Sequence, residues 1–212
     1  VEIVILLLLA YLLGAIPSGV IIGKVFFKKD IRDFGSGNIG TTNTFRVLGK
    51  QAGVVVLLAD VLKGTLATLL PVLLSSNLNP LLCGLLAVIG HTFSVFIGFK
   101  GGKAVATSGG VILGFAPAFF VLVLIIFLIC LYITSIVSFS SITAASLALL
   151  GVIFFPIFQV PILPERNWAF LVLATFFAGF IIIRHKENIK RIQAKTESTV
   201  SFGLNVLKMD KK

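Results

Sequence analysis

Four polar stretches interrupt an otherwise apolar chain, at residues 28–50, 98–108, 134–143 and 184–201, and their Gly, Ser, Thr, Asn and Lys content suits oxyanions. The first contains Gly35-Ser36-Gly37-Asn38-Ile39-Gly40-Thr41-Thr42-Asn43-Thr44-Phe45-Arg46. Its glycines permit positive φ and close backbone approach, so successive N–H groups can form an anion-binding nest. Ser36, Thr41, Thr42 and Asn43 add side-chain donors, and Arg46 adds a planar fork suited to phosphate. A helix starting near Thr42 would aim its first amides at the same anion. A flexible Gly/Ser loop is the plain alternative; Arg46 and the neighbouring basic stretches favour phosphate. The residues expected to serve it are Gly35, Ser36, Gly37, Asn38, Thr42, Asn43 and Arg46.

The second stretch reads Phe99-Lys100-Gly101-Gly102-Lys103-Ala104. It is not a Walker A loop, because Gly98 precedes Gly102 by one residue too few and Ala104 stands where Ser or Thr would bind magnesium. What remains is a basic Gly-Gly-Lys turn opening a helix, a second small phosphate site built from Gly101, Gly102 and Lys103. In the third stretch, Ser138, Ser140 and Ser141 either cap the following helix or face substrate. In the fourth, His185 and Asn188 fall on one helix face beside Arg184 and Lys186, suiting either the membrane edge or a phosphate. Asp60 and Lys63, at i and i+3 inside an apolar run, read as a structural ion pair near the site. His91 lies about 15 Å of helix before the Gly-Gly-Lys turn at 1.5 Å per residue, and reads as structural. Cys83 and Cys130 sit in apolar runs without metal-ligand spacing and read as small buried hydrophobes; no metal is expected.

The elements that must position these groups follow from composition. Of 212 residues, 58% are hydrophobic and only 12% charged, too little polar surface to cover a water-soluble globule. In lipid only helices or closed barrels satisfy the backbone, and runs such as Val4–Leu13 lack the alternation of barrel strands. The fold class is therefore an all-α polytopic transmembrane helix bundle. The net charge of +10 fits basic cytoplasmic loops, and nucleic acid is not an expected partner because no soluble domain exists to present a reading element. The first apolar run lacks a basic segment before it and is expected to be retained as a span.

A span needs about 20 apolar residues, which predicts helices near 2–26, 52–74, 79–98, 139–158 and 167–184. Residues 104–137 are too long for one span and break at Gly114 and Pro117, giving a short helix at 104–115 and a full one at 117–136. Lys28, Lys29, Arg32, Arg46 and Lys50 put the first loop in the cytoplasm and the N-terminus outside. Seven spans then return the basic tail to the cytoplasm, leaving Arg166 as the one basic residue in an external loop; six spans would not. One transmembrane domain is expected over 1–200, with a disordered basic tail at 201–212.

Three runs resemble the cytoplasmic motifs of the acyl-phosphate-dependent glycerol-3-phosphate acyltransferases: Gly35 to Asn43, Gly90-His91 through Gly101-Gly102-Lys103, and Arg184 to Ile189 with Thr196-Glu197. The resemblance extends to about residue 200. Ser94 stands where many members have Pro, and Ala104 where many have Gly. The resemblance implies transfer of a fatty acyl group from acyl phosphate to the 1-hydroxyl of glycerol 3-phosphate. The product would be lysophosphatidic acid, made at the cytoplasmic face of a bacterial cell membrane as the first step of phospholipid synthesis. No cofactor is implied; glycerol 3-phosphate, acyl phosphate and membrane lipid are the implied partners. Ser36, Arg46 and His185 are implied to be catalytic. Lys103 and its glycines, with Ser141 and Asn188, are implied to bind substrate, and Glu197 to be structural. No nucleophile–base pair is evident, since Phe96 and Lys190 stand where an Asp would follow His91 and His185 in soluble-domain acyltransferases. A transporter of a phosphorylated small molecule is the rival reading, but no repeat relates the two halves and the polar groups gather on one face.

Overall fold

The computed structural model describes residues 1–163 and 167–209; Arg166 lies outside them. Among the described residues all regular structure is helical, as a backbone in hydrocarbon requires. The helices are α1 (Glu2–Ala15), α2 (Ser18–Phe27), α3 (Thr41–Leu48), α4 (Lys50–Leu73), α5 (Pro80–Thr92), α6 (Val105–Phe115), α7 (Pro117–Thr134), α8 (Val137–Phe154), α9 (Trp168–Arg184) and α10 (Lys186–Gln193). Four segments are long and apolar enough to cross a membrane alone: Lys50–Leu73, Pro80–Ile97, Pro117–Thr134 and Val137–Phe154. The pairs α1–α2 and α9–α10 also qualify if each is one span, bent by 47° and 56°, and α6 is a shorter apolar helix.

Two elements differ from the sequence expectation. The first helix does not run unbroken over 2–26 but bends at Pro17, which lacks an N–H and disfavours helical backbone at Ile16. The third ends at Thr92, and a 3-10 turn at Val95–Ile97 follows before Gly98 and Phe99, both left-handed, reverse the chain.

The chain divides into two compact units, Val1–Phe115 and Ala116–Lys212. The division falls at the Gly114–Pro117 break, with Pro117 in the first turn of α7, where its missing N–H costs nothing. In the first unit, small residues let helices touch backbone to backbone. A methyl group at Gly14 would overlap the backbone of Ala87, and one at Gly110 that of Val61. The α1–α4–α5 core is Leu6, Ala10, Ala67, Cys83 and Ala87, so Cys83 is the buried hydrophobe expected of it. Ser94, fully buried at φ −70°, has a backbone that proline also adopts; here its hydroxyl donates to the Ala15 carbonyl (2.5 Å) that ends α1.

In the second unit Phe119 of α7 meets Phe155 and Phe170 edge-on, each at 6.1 Å between centroids. The segment after Glu197 does not leave the fold at once. Val200 N–H donates to Ser135 O (2.8 Å), Leu204 N–H to Tyr132 O (2.8 Å) and Val206 N–H to Ile133 O (3.1 Å). These bonds occupy carbonyls that the end of α7 leaves open, and they tie Leu204 and Val206 to it.

Candidate active site

The first loop is organised by Asn43, which is buried to 2% exposure. Its amide nitrogen donates to the carbonyls of Ile31 (2.9 Å), Phe34 (3.2 Å) and Asn38 (2.9 Å), and its Oδ1 accepts from Ser36 N–H (2.9 Å). Asn43 therefore shapes the loop, where a substrate contact was expected of it. The expected nest is also altered. Gly35 and Gly37 are left-handed (φ +62° and +66°), yet Ser36 N–H faces Asn43, Gly37 N–H donates to Phe34 O (3.0 Å), and Gly40 N–H donates to Asn38 Oδ1 (2.9 Å). Three of the nest's amides thus point into the loop.

The outside of the loop exposes hydroxyl and guanidinium groups of the motif. The helix start expected near Thr42 is observed at Thr41, and Ser36, Thr42 and Arg46 are exposed. Thr42 and Arg46, four residues apart, share one face of α3. Gly35 leaves room for the Arg46 stem, whose Cδ would sit 3.3 Å from a methyl group there. Thr41 Oγ1 is shielded and has no hydrogen-bond partner among the described residues. At the loop's entry Asp30 accepts from Arg32 Nη2 (2.6 Å) and Nε (2.9 Å), with Lys24 Nζ at 3.1 Å. Those hydrogen bonds, from Arg32 above all, hold the Asp30 carboxyl well below the usual carboxylate range and raise Arg32 in return.

The Gly-Gly-Lys turn folds back onto the end of α5. Gly101 N–H donates to Thr92 O (2.8 Å) and Gly102 N–H to His91 O (3.1 Å). A methyl group at Gly101 would overlap those two carbonyls, and one at Gly102 would overlap the His91 imidazole. The glycines are thus required by close packing, and their amides bond α5 in place of the anion expected. The helical spacing that set His91 about 15 Å from the turn at 1.5 Å per residue fails because the chain reverses after Thr92. Lys103, half-buried, follows at once, then Ala104 in the left-handed region (φ +57°) ahead of α6. Ile97, just before the turn, packs with Val47 and Leu48 on the buried cluster Val20, Ile31 and Ile39 beneath the first loop. Both motifs of the first unit therefore rest on one apolar cluster.

In the second unit the third motif converges on Glu197, 6% exposed. Its Oε1 accepts from Asn188 Nδ2 (2.6 Å) and Ser138 Oγ (2.9 Å), and its Oε2 from Arg191 Nε (2.6 Å). His185 Nδ1 lies 2.8 Å from Ile181 O, with the ring buried. Ser140 and Ser141 donate to Ile136 O and Val137 O (both 2.8 Å). No serine caps α8, whose N-cap is Ile136, so the capping alternative does not describe this strip.

The comparisons agree with these motifs. The glycerol-3-phosphate acyltransferase family model matches residues 4–195. The chain belongs to that family. A glycerol-3-phosphate acyltransferase of Enterococcus faecalis is 61% identical over 213 residues, covering 100% of this chain and 98% of the relative. One of Streptococcus pneumoniae (strain CGSP14) is 55% identical over 210 residues, 99% and 98% of the two chains. The crystal structure of PlsY (YgiH), an integral membrane glycerol 3-phosphate acyltransferase, in its glycerol 3-phosphate form superposes with a TM-score of 0.84 at 35% identity, covering 95% of this chain and 96% of that one. Its lysophosphatidic acid form gives 0.81 over the same coverage. This member of the acyltransferase family is thus an integral membrane enzyme built of apolar helices.

Beneath the first unit's motifs this acyltransferase carries a buried polar chain that the sequence shows only in part. Asp60 and Lys63 form the expected ion pair, at 2.7 Å, with side chains 3% and 5% exposed. Ser18 Oγ donates to Asp60 Oδ1 (3.0 Å), and Lys63 Nζ also donates to Ile16 O (2.9 Å), a carbonyl opened by the bend at Pro17. His91 Nδ1 lies 3.8 Å from Asp60 Oδ1 and 3.2 Å from Thr107 Oγ1. These partners come from α2, α4, α5 and α6, too far apart in sequence to leave a local pattern.

Proposed function

We propose that this protein transfers a fatty acyl group from acyl phosphate to the 1-hydroxyl of glycerol 3-phosphate, giving lysophosphatidic acid and inorganic phosphate as the first step of bacterial phospholipid synthesis. The observation that carries the reading is that Ser36, Thr42 and Arg46 are all exposed, Ser36 in the loop before α3, Thr42 in its first turn and Arg46 in its last. A guanidinium, hydroxyl donors and a helix N-terminus within one short segment are a chemistry suited to phosphate. The two PlsY structures, solved in glycerol 3-phosphate and lysophosphatidic acid forms, support this substrate and product.

The hydroxyl oxygen attacks the acyl carbonyl carbon and the carbonyl–phosphate C–O bond breaks. Phosphate leaves with the electron pair, and the hydroxyl proton passes to a substrate phosphate or to His185. Acyl phosphate is activated already, so positioning and charge stabilisation supply most of the rate. Arg46 and Ser36 are assigned to the reacting phosphate, and Lys103 in its Gly-Gly turn to glycerol 3-phosphate. Asn38, Ser141 and Asn188 remain assigned to substrate, although the hydrogen bonds above show each also holding its own element. Seven spans, with the N-terminus outside and the basic loops and tail in the cytoplasm of a bacterial cell, fit six apolar segments plus the short α6.

Purified protein offered acyl phosphate, acyl-CoA and acyl carrier protein thioester side by side tests the reading. Lysophosphatidic acid should form from acyl phosphate alone. Equal rates from a thioester donor would refute the donor assignment, and no product from any donor would refute the reaction.

A further inference from the structure

We propose that His91 is a positioning residue for the Gly-Gly-Lys turn, holding it in register with the buried Asp60–Lys63 pair so that Lys103 meets its ligand in one geometry. The inference rests on the assignment of that turn to glycerol 3-phosphate. The imidazole lies between two kinds of neighbour. Its Nδ1 edge faces Thr107 Oγ1 at 3.2 Å and Asp60 Oδ1 at 3.8 Å, while its Nε2 edge lies where a Gly102 side chain would have to go. The same residue's carbonyl accepts from Gly102 N–H (3.1 Å), so side chain and backbone of His91 both fix one glycine.

The surroundings leave the ring little freedom. His91 is 4% exposed, Asp60 2%, Lys63 5% and Thr107 0%. Asp60 is itself held by Lys63 and Ser18, and Lys63 by Ile16 O, so the ring is referenced to α2 and α4 as well as to its own helix. Thr107 opens α6 just past Lys103, so the two sides of the turn are tied to one imidazole. A ring that only filled space would need no polar partners at Nδ1. Burying one beside a carboxylate is otherwise costly.

A role in positioning differs from packing in what it does to kinetics. Interactions that orient one substrate act on that substrate's KM, and leave the other substrate's KM alone. His91→Phe keeps the ring's volume and removes both nitrogens; His91→Asn restores a donor near the Nδ1 position. In purified full-length protein, His91→Phe should raise the KM for glycerol 3-phosphate about tenfold, the factor that a single modest interaction supplies, with the acyl phosphate KM within about twofold of wild type. His91→Asn should recover part of that loss. Thr107→Val, nearly isosteric, should shift the same KM in the same direction by about threefold, roughly one neutral hydrogen bond. A wild-type glycerol 3-phosphate KM in folded His91→Phe, or equal losses for both substrates with a lowered Tm, would overturn the inference. If His91→Phe does not fold, Thr107→Val decides: an unchanged KM overturns it. Lys103→Ala separates the two levels. If it raises the KM and His91→Phe does not, positioning alone fails; if neither does, the assignment of the turn fails first.

Discussion

Truncating Glu197 to alanine should destabilise the second unit by about 2–4 kcal/mol, and the hydrogen bonds say where that figure comes from. Three donors end on one carboxylate: Asn188 Nδ2 and Ser138 Oγ on Oε1, Arg191 Nε on Oε2. Asn188 and Ser138 are 8% and 5% exposed, so each buried hydrogen bond lost by the change costs about 1–3 kcal/mol. The Ser138 hydroxyl can rotate toward other neighbours, which puts its share at the low end. Arg191 is 44% exposed and reaches water, so its loss adds under about 1 kcal/mol. For a chain of this length 1 kcal/mol moves Tm by about 2–4 °C, so Glu197→Ala should lower it by about 5–15 °C. Glu197→Gln keeps an acceptor for Asn188 and Ser138 and should lower Tm by no more than about 4 °C. The assay is thermal unfolding of the purified variants in one detergent. If Gln falls as far as Ala, the charge on Arg191 carries the site and the reasoning is wrong; if Ala is neutral, Glu197 organises nothing.

Arg46→Ala should abolish detectable acyl transfer, a loss of about 3 kcal/mol or more of transition-state stabilisation. Arg46→Lys should recover only part, because an ammonium lacks the bidentate fork; wild-type activity in Arg46→Lys would make the residue a topological anchor. With Cys83 and Cys130 replaced, an impermeant thiol reagent applied outside intact cells should label Ser75→Cys but not Ser198→Cys. Labelling of Ser198→Cys would remove the seven-span topology. Ala104→Gly should raise Tm by a few degrees at most, since relief of a left-handed alanine is worth about 1–2 kcal/mol and the glycine's extra freedom when unfolded offsets part of it. A lower Tm would show that the Ala104 methyl contributes packing that outweighs the strain.

What the sequence discloses and what it hides divide along the range of the interactions. Helix ends at Leu73, Phe115 and Arg184 fall within a residue or so of the apolar runs that predict them, because lipid forces a local choice on every run. The Gly114–Pro117 break is equally local. Pro17 was just as visible, but a run of apolar residues on both sides masked it. The start of α3 and the exposure of Arg46 follow from the loop's own residues. The role of Asn43 does not, since an amide that donates to three carbonyls looks the same in sequence as one that faces a ligand. Nor does the placement of His91, because helical rise measures distance only while the helix continues. The contacts behind the motifs of the two units join residues 42, 47, 59 and 79 positions apart, and no spacing rule reaches so far.

The bond from Lys63 to Ile16 has a consequence for how the protein is made. A carbonyl has two lone pairs, and Ile16 O already accepts from Ser18 N–H (3.0 Å) within the bend itself. Its second donor, Lys63 Nζ, lies 47 residues later in the chain. At about 5–20 residues per second of synthesis, the ribosome needs several seconds to deliver it. Over that interval the bend at Pro17 is held by its own backbone bond, without the charged donor that ties it to α4. The cation that neutralises Asp60 is thus also the one that joins α4 to the bend between α1 and α2.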